Sequence, residues 1–308
     1  MTAAVTTDAS LPPRYSATAR RDWLPAFLFL LPNLVSIGLF TLIPVIAGFV
    51  LSFTSWDMLS DPEWVGLDNY ADILKDKQFW NSLRNTVIYT LIVIPGGLAV
   101  SLMLALALNT KIKGTAIYQA IFFLPYVSST IAVALVWKWI YHPEYGVLNA
   151  MLRAVGLPAV DWLVDPKLAL MSVAIVQIWQ TAGYNMVLFL AGLRAIPKDY
   201  YEAAKIDGSS PWNTFWSITV PLLMPTIFFV TTISIIASFQ VFNLIYVMTG
   251  GGPGNATKVY VFYLWESGFS FFKMGYASAL AYVLFIIILG ITLLQVRFLG
   301  RNPAMGGK

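Results

Sequence analysis

The sequence predicts an all-α integral membrane fold with six transmembrane helices, and three observations carry that expectation. Hydrophobic residues fill 58% of the 308 positions and charged residues only 11%, against roughly 25% charged in soluble domains. The mean hydropathy is +0.72. The apolar residues gather into six runs, approximately Trp23 to Phe53, Thr86 to Leu108, Ile117 to Tyr141, Leu168 to Leu193, Ile218 to Met248 and Tyr276 to Phe298. A helix needs about 20 such residues to cross a hydrocarbon core of about 30 Å.

In chain order, residues 1–22 lack an apolar period and are rich in Thr, Ala, Ser and Pro, so they read as a disordered cytoplasmic tail. Arg20-Arg21 ahead of an apolar run suggests an export signal. That run is too long for a signal h-region and no small-x-small cleavage site follows it, so it reads as an uncleaved first helix. The permease domain is then expected over 23–300, and 301–308 as a second cytoplasmic tail. After span one, Trp64-Val65-Gly66-Leu67-Asp68-Asn69-Tyr70 predicts a turn entering a short amphipathic helix through Leu74. Phe79, Trp80 and Leu83 are expected at the outer membrane interface, where aromatic belts form. The next outer loop, His142 to Lys167, holds Gly146, Asn149, Leu152 and Trp162; the last holds the glycine cluster Thr249 to Asn255. That cluster is no phosphate loop, because no Gly-Lys-Ser/Thr follows at the required spacing. It reads as a flexible turn or a finger toward an external partner.

Orientation follows from Lys and Arg in the short loops. Arg14, Arg20 and Arg21 precede span one; Lys111 and Lys113 separate spans two and three; Arg194, Lys198 and Lys205 follow span four; Arg297, Arg301 and Lys308 close the chain. Those segments are expected in the cytoplasm, and with six spans both termini fall there. The first outer loop is acidic by comparison, with Asp57, Asp61, Glu63, Asp68, Asp72 and Asp76 against Lys75 and Lys77. Positive-inside placement accounts for the net charge of +4 without nucleic acid as a partner. The absence of Cys excludes disulfides, thiolate metal sites and thiol catalysis. The single histidine, His142, has no metal-ligand partner in spacing, and no nucleophile and base pair stands out, so the chain is not expected to be an enzyme.

The polar segment 194–217 between spans four and five predicts a helix, turn, helix elbow. Pro197 starts a helix where its missing N–H is harmless, and Asp199 places negative charge at the positive end of the helix dipole. Tyr201, Glu202, Ala203, Ala204 and Lys205 form a compact turn whose small alanines admit a close neighbour. Gly208, after Asp207, ends it through positive φ. Ser209 or Ser210 caps a second short helix from Pro211 to Ser217.

Here the chain resembles the inner-membrane permeases of binding-protein-dependent ABC importers. Their shared loop reads Glu-Ala-Ala, three residues, Gly, nine residues, Ile, one residue, Leu-Pro. This sequence has Glu202-Ala203-Ala204, Gly208, Ile218 and Pro221 at that spacing, with Val220 in place of Leu. The resemblance covers nearly all of the chain after residue 23. Gly66 to Tyr70, Tyr145 to Asn149 and Thr249 to Pro253 are similar to the carbohydrate branch, of the first-permease type found in maltose and glycerol-3-phosphate systems. The resemblance implies a type I importer permease in the inner membrane that binds no cofactor itself. It implies a second permease, two copies of a cytoplasmic ATPase carrying ATP and Mg, an external solute-binding protein and a saccharide. The elbow would sit in a cleft of the ATPase and drive alternating access, with Glu202 making polar contacts and Gly208 setting the turn.

Polar residues inside a span are expensive in lipid, so their alignment carries meaning. Gln177, Gln180, Thr181 and Tyr184 fall at i, i+3, i+4 and i+7 in span four and share one helix face. Thr231, Ser234 and Ser238 make a second stripe in span five, with Gln240 and Asn243 nearby and with Trp179, Phe239 and Phe242 as flat surfaces. Amides, hydroxyls and rings suit a sugar, although such groups also glue membrane helices together. By resemblance, Gln177, Trp179, Gln180, Thr181, Tyr184, Ser234 and Ser238 occupy the places of the maltose-type translocation site. Ala237 stands where that permease has a bulky aromatic and Ser238 where it has an amide, so the solute need not be a maltodextrin. The competing class is an ion-coupled secondary transporter, which needs ionisable groups at mid-depth. These spans have none there, and Lys138 between Trp137 and Trp139 reads as a snorkelling anchor.

Overall fold

The computed structural model describes residues 23–110 and 113–299, and the two expected tails lie outside them. The chain divides into two units, Met1–Leu51 and Ser52–Lys308. In the first, α1 (Trp23–Ile37) continues through a π-helical turn, Gly38–Leu42, into α2 (Ile43–Leu51). The residues flanking that turn keep right-handed helical angles, so span one is one continuous apolar rod.

The second unit opens with a two-stranded clip, β1 (Thr54–Ser55) antiparallel to β2 (Glu63–Trp64), followed by α3 (Asp68–Lys75). Asn69 fastens the clip by donating to the carbonyls of Ser52 and Thr54. Span two is α4 (Lys77–Leu108), 32 residues long, or about 48 Å at 1.5 Å per residue. It is followed by α5 (Thr115–Val127), α6 (Thr130–Ile140), α7 (Val147–Ala154) and α8 (Ala169–Ala195). Then come α9 (Lys198–Ile206), α10 (Pro211–Thr214), a π-helical stretch Phe215–Thr219, α11 (Val220–Phe239), α12 (Asn243–Met248) and α13 (Tyr260–Trp265). A π turn, Glu266–Ser270, leads to α14 (Met274–Leu299).

The centre of this unit is the pair α4 and α8. They run in the same direction: Tyr89 donates to Gln177 near one end, and Leu108 clusters with Phe189 and Leu193 near the other. Helix α5 runs against α8, and Gly183 sets their approach. A Cβ at Gly183 would lie 1.8 Å from the Phe122 carbonyl oxygen, so only glycine fits. Small residues at such crossings are how helices associate in lipid, where no hydrophobic force separates helix from solvent.

Five helices among the described residues are long and apolar enough to span a membrane, and a bent pair makes six when counted as one span. That pair corrects the sequence reading of span three as one helix. Between α5 and α6 the chain bends by 95°. Ser128 and Ser129 adopt ψ of 147° and 124°, and the Ser128 hydroxyl donates back to Leu124. Short hydroxyl side chains offer the backbone such local alternatives to the helix. Span five is likewise shorter than expected: α11 stops at Phe239, and α12 restarts beyond Gln240-Val241-Phe242. The two restarted helices, α6 and α12, pack together, and Lys138 Nζ donates to the Val247 carbonyl at 3.2 Å rather than only reaching for water. Phe79 is packed inside the chain and does not face outward as an aromatic-belt residue would. It is 3% exposed and stands edge-on to Tyr260. The glycine loop is held by a hydrogen bond of 2.5 Å from Thr257 to the Gly252 carbonyl.

Candidate functional site

Two features share the helices α8 and α11. The first is the elbow. Helix α9 begins at Lys198 with Pro197 as its N-cap, one residue earlier than expected for the proline. Gly208 has φ of +71°. The Ser209 amide reaches back to the Ala204 carbonyl and the Gly208 amide to that of Lys205. This is the paired closure of a helix through a left-handed residue, which glycine adopts without a Cβ clash. Ser210, rather than Ser209, caps α10 by accepting from the Asn213 amide at 3.2 Å. Ala204 is buried, and the Tyr201 hydroxyl is 3.2 Å from that of Thr219, so the elbow is pinned to the base of α11. A groove of about 730 Å³ lies in the bend, lined by Tyr200, Ala203, Ala204, Asp207, Gly208 and Ser217 among others. Glu202 and Pro221 are exposed beside it. Ile206 and Trp212 are apolar knobs, 86% and 72% exposed among the described residues.

The second feature is a cavity of about 170 Å³ midway along α8. Of the residues expected from the sequence, it brings together Gln177, Thr181 and Tyr184 from α8 with Ser234 and Ser238 from α11. The geometry leaves the others elsewhere. Gln180 is turned to α6, donating to Thr130 at 3.2 Å. Trp179 stands edge-on to Trp137, and Phe239 is buried in another cluster. Gln240 and Asn243 flank the break after α11, and Phe242 packs with Tyr246, Phe262 and Trp265. Two polar lining residues were not anticipated. Asn185 lies one turn beyond Thr181 on the stripe already traced and was legible by extending it. Tyr126 comes from α5, where its ring stacks on Tyr184 at 4.4 Å and 13°. Only the fold joins those two rings.

The cavity lining carries no carboxylate, ammonium, guanidinium or imidazole: its polar groups are amides, aliphatic hydroxyls and phenols. Such a set can exchange hydrogen bonds with a hydroxylated solute while its rings cover C–H faces. Among the described residues no group of three or more His, Asp or Glu is placed to hold a metal ion.

Residues 80–299 match the family described as binding-protein-dependent transport system inner membrane component. The chain is 39% identical over 284 residues to the probable ABC transporter permease protein YesP of Bacillus subtilis, covering 91% of each chain. It is 36% identical to the trehalose/maltose transport system permease protein MalF of Thermococcus litoralis, over 88% of this chain and 92% of that one. It is 34% identical to the sulfoquinovosyl glycerol transport system permease protein SmoG of Agrobacterium fabrum, over 90% and 91%. Among solved structures, a chain of a bacterial ABC transporter involved in importing alginate superposes with a TM-score of 0.80 at 26% identity, covering 92% of this chain and 97% of that one. Those matches set aside the ion-coupled secondary transporter and an enzymatic role. With the loop motif, the helix order and the fold in agreement, the chain belongs to the binding-protein-dependent inner membrane permeases, as a multi-pass transport subunit of an ABC importer.

Proposed function

We propose that the chain forms half of the translocation pathway of an ATP-driven importer of neutral saccharides. One observation carries this reading: both arms of the elbow run directly into the helices that line the cavity. Helix α8 passes from Tyr184 to Ala195 and into α9, and α11 passes from Val220 to Ser234. A displacement at the elbow therefore reaches the cavity along helical segments of about 20 Å on each arm. Segment 194–217 is the coupling loop. Glu202, Ala203, Asp207 and Gly208 meet a cytoplasmic ATPase subunit, which carries ATP and Mg, and the alanines leave room for that subunit's surface. Both termini are cytoplasmic.

The cavity is smaller than the roughly 300–1,000 Å³ of sites that enclose a whole ligand. It is one wall of a pathway, and a second permease supplies the other. The lining favours an uncharged sugar, because an anionic one requires a cation that this wall lacks. Relatives named for lactose and for trehalose/maltose fit that lining, whereas the relative named for glycerol-3-phosphate takes an anion. The elbow geometry supports alternating access, with solute delivered by an external solute-binding protein.

The test is native mass spectrometry of the tagged chain from its source membrane, followed by reconstitution. The expected particle holds one second permease and two ATPase copies, and takes up neutral di- or oligosaccharide only with ATP inside and binding protein outside. A homo-oligomer that moves sugar without ATP would overturn the reading.

A further inference from the structure

The polar stripe of α8 ends in an amide that the chain itself leaves without a partner. Of the polar residues lining the cavity between α8 and α11, two are buried, Asn185 at 5% exposure and Ser238 at 3%. Neither side chain hydrogen-bonds to another described residue. Among the described residues, the buried polar side-chain atoms that are unpartnered and shut off from solvent belong to Gln78, Thr90 and Gln295. The Asn185 amide and the Ser238 hydroxyl therefore stay open to the cavity that they line. Other lining groups are already engaged within the chain: Gln177 accepts from the Tyr89 hydroxyl, and Thr181 donates to the Gln177 carbonyl.

Helix register separates the two open groups. A Cβ at Gly192 would lie against Leu223 and Thr226, and Thr181 shares the cavity with Ser238, so α8 and α11 run in opposite directions. Seven residues back along α8 and seven forward along α11 bring Asn185 level with Val230 to Ile233. Val230 is packed in the core and Ile233 lines the cavity, and both are apolar. Ser238 falls level with Gln177 to Gln180 by the same register. One turn past Asn185 toward the elbow, Phe189 is buried in the same cluster as Val230. The elbow end of the cavity thus carries one amide over an apolar floor.

We infer that Asn185 determines which saccharide passes, by exchanging hydrogen bonds with one hydroxyl of the sugar ring that reaches furthest toward the elbow. This selectivity rests on the saccharide reading above and gives it a residue. A polar group facing a cavity is hydrated until a solute displaces the water, and the exchange is favourable only where the solute reproduces the lost bonds. The asparagine head carries a donor and an acceptor together, so it matches a hydroxyl, which is both. A ring with hydrogen at that position leaves the buried amide unpaired. Sites built in this way reject the analogue lacking the hydroxyl far more strongly than an apolar pocket rejects an extra methylene.

The measurement is uptake into proteoliposomes holding the complete importer, with its external binding protein outside and ATP inside. The probes are radiolabelled maltose, trehalose and lactose, the sugars for which relatives are named, then the monodeoxy analogues of whichever of the three the wild type takes up best. Asn185→Leu keeps the size of the side chain and removes both hydrogen-bonding groups. It is expected to raise the half-saturating concentration of the parent disaccharide about tenfold and to leave that of one monodeoxy analogue unchanged, so that the preference for that hydroxyl disappears. The binding protein is the same in both importers, and its own preference cancels in the comparison. Asn185→Ala is expected to give the same pattern, which covers a leucine variant that does not insert, and membrane content is followed by immunoblot. Ser238→Ala is expected to remove the preference for a different position. Equal weakening of the parent and every analogue would make Asn185 a packing residue and overturn its selective role alone, as would a parent sugar taken up by the variant as well as by the wild type. A wild-type importer that takes up none of the three disaccharides would overturn the saccharide reading and this role together.

Discussion

At Gly208 a single backbone angle decides whether the elbow exists. Its φ of +71° lies where a side chain is strained whatever the space around it, and a β-branched residue is the least tolerant there. Gly208→Val is expected to leave the chain inserted, because the elbow lies outside the spans, yet to cut solute-stimulated ATP hydrolysis at least tenfold. Membrane content by immunoblot together with ATPase assays of the reconstituted complex checks this, and normal stimulation would deny the elbow its coupling role. Tyr184 is the corresponding residue in the cavity. Its stack on Tyr126 is of a kind worth about 0.5–1.5 kcal/mol beyond area burial. Tyr184→Ala is expected to raise the half-saturating solute concentration for uptake about tenfold, with basal ATPase unchanged. A loss from Tyr184→Phe as large as that from Tyr184→Ala would show that the hydroxyl and not the ring matters.

At the scale of elements, the α5 and α8 crossing and the interior of α4 give opposite forecasts for the same substitution. Gly183→Ala drives a methyl into the Phe122 carbonyl, whereas a Cβ at Gly97 meets nothing within 4 Å. Overpacking of that kind costs about 1–3 kcal/mol, while glycine to alanine in an open helix position gains about 0.5–1 kcal/mol. Thermal unfolding of the purified chain in detergent is expected to shift down for Gly183→Ala and slightly up for Gly97→Ala. The same elements show what was legible beforehand. Apolar runs announced the spans, because lipid forces backbone groups to pair within the helix. The elbow was read nearly to the residue, since proline, serine and glycine each act through their own φ or side chain. The breaks at Ser128-Ser129 and Gln240 to Phe242 were not legible: hydropathy averaged over a span length does not register two or three residues of non-helical backbone. Five of the nine expected pathway residues, all from stripes on single helices, line the cavity. Tyr126 did not come that way, because its partner is 58 positions along the chain.

Across the whole molecule, Asp76 ties together segments far apart in the chain. It caps α4 through the Gln78 amide and accepts from Tyr263 and Tyr276, so one carboxylate joins the starts of spans two and six. Burial works against its ionised form, yet the Tyr263 hydroxyl, the Gln78 amide and the Tyr276 hydroxyl outweigh burial and hold the carboxyl below its usual 3.8. A carboxyl lowered by folding stabilises the folded state fully above its unfolded value and loses that contribution as pH falls through the folded one. The contribution is therefore complete at pH 7 and fades below about pH 4. Asp76→Asn is expected to lower stability at pH 7 by about 1 kcal/mol, a charge-assisted bond discounted for the solvent that reaches this carboxylate. Near pH 3 the difference between variant and wild type is expected to shrink, because below 3.8 the carboxyl of the unfolded wild type takes up a proton and the contribution fades. Thermal unfolding of both proteins at the two pH values measures it, and a gap that stays constant would mean that Asp76 acts through shape rather than charge.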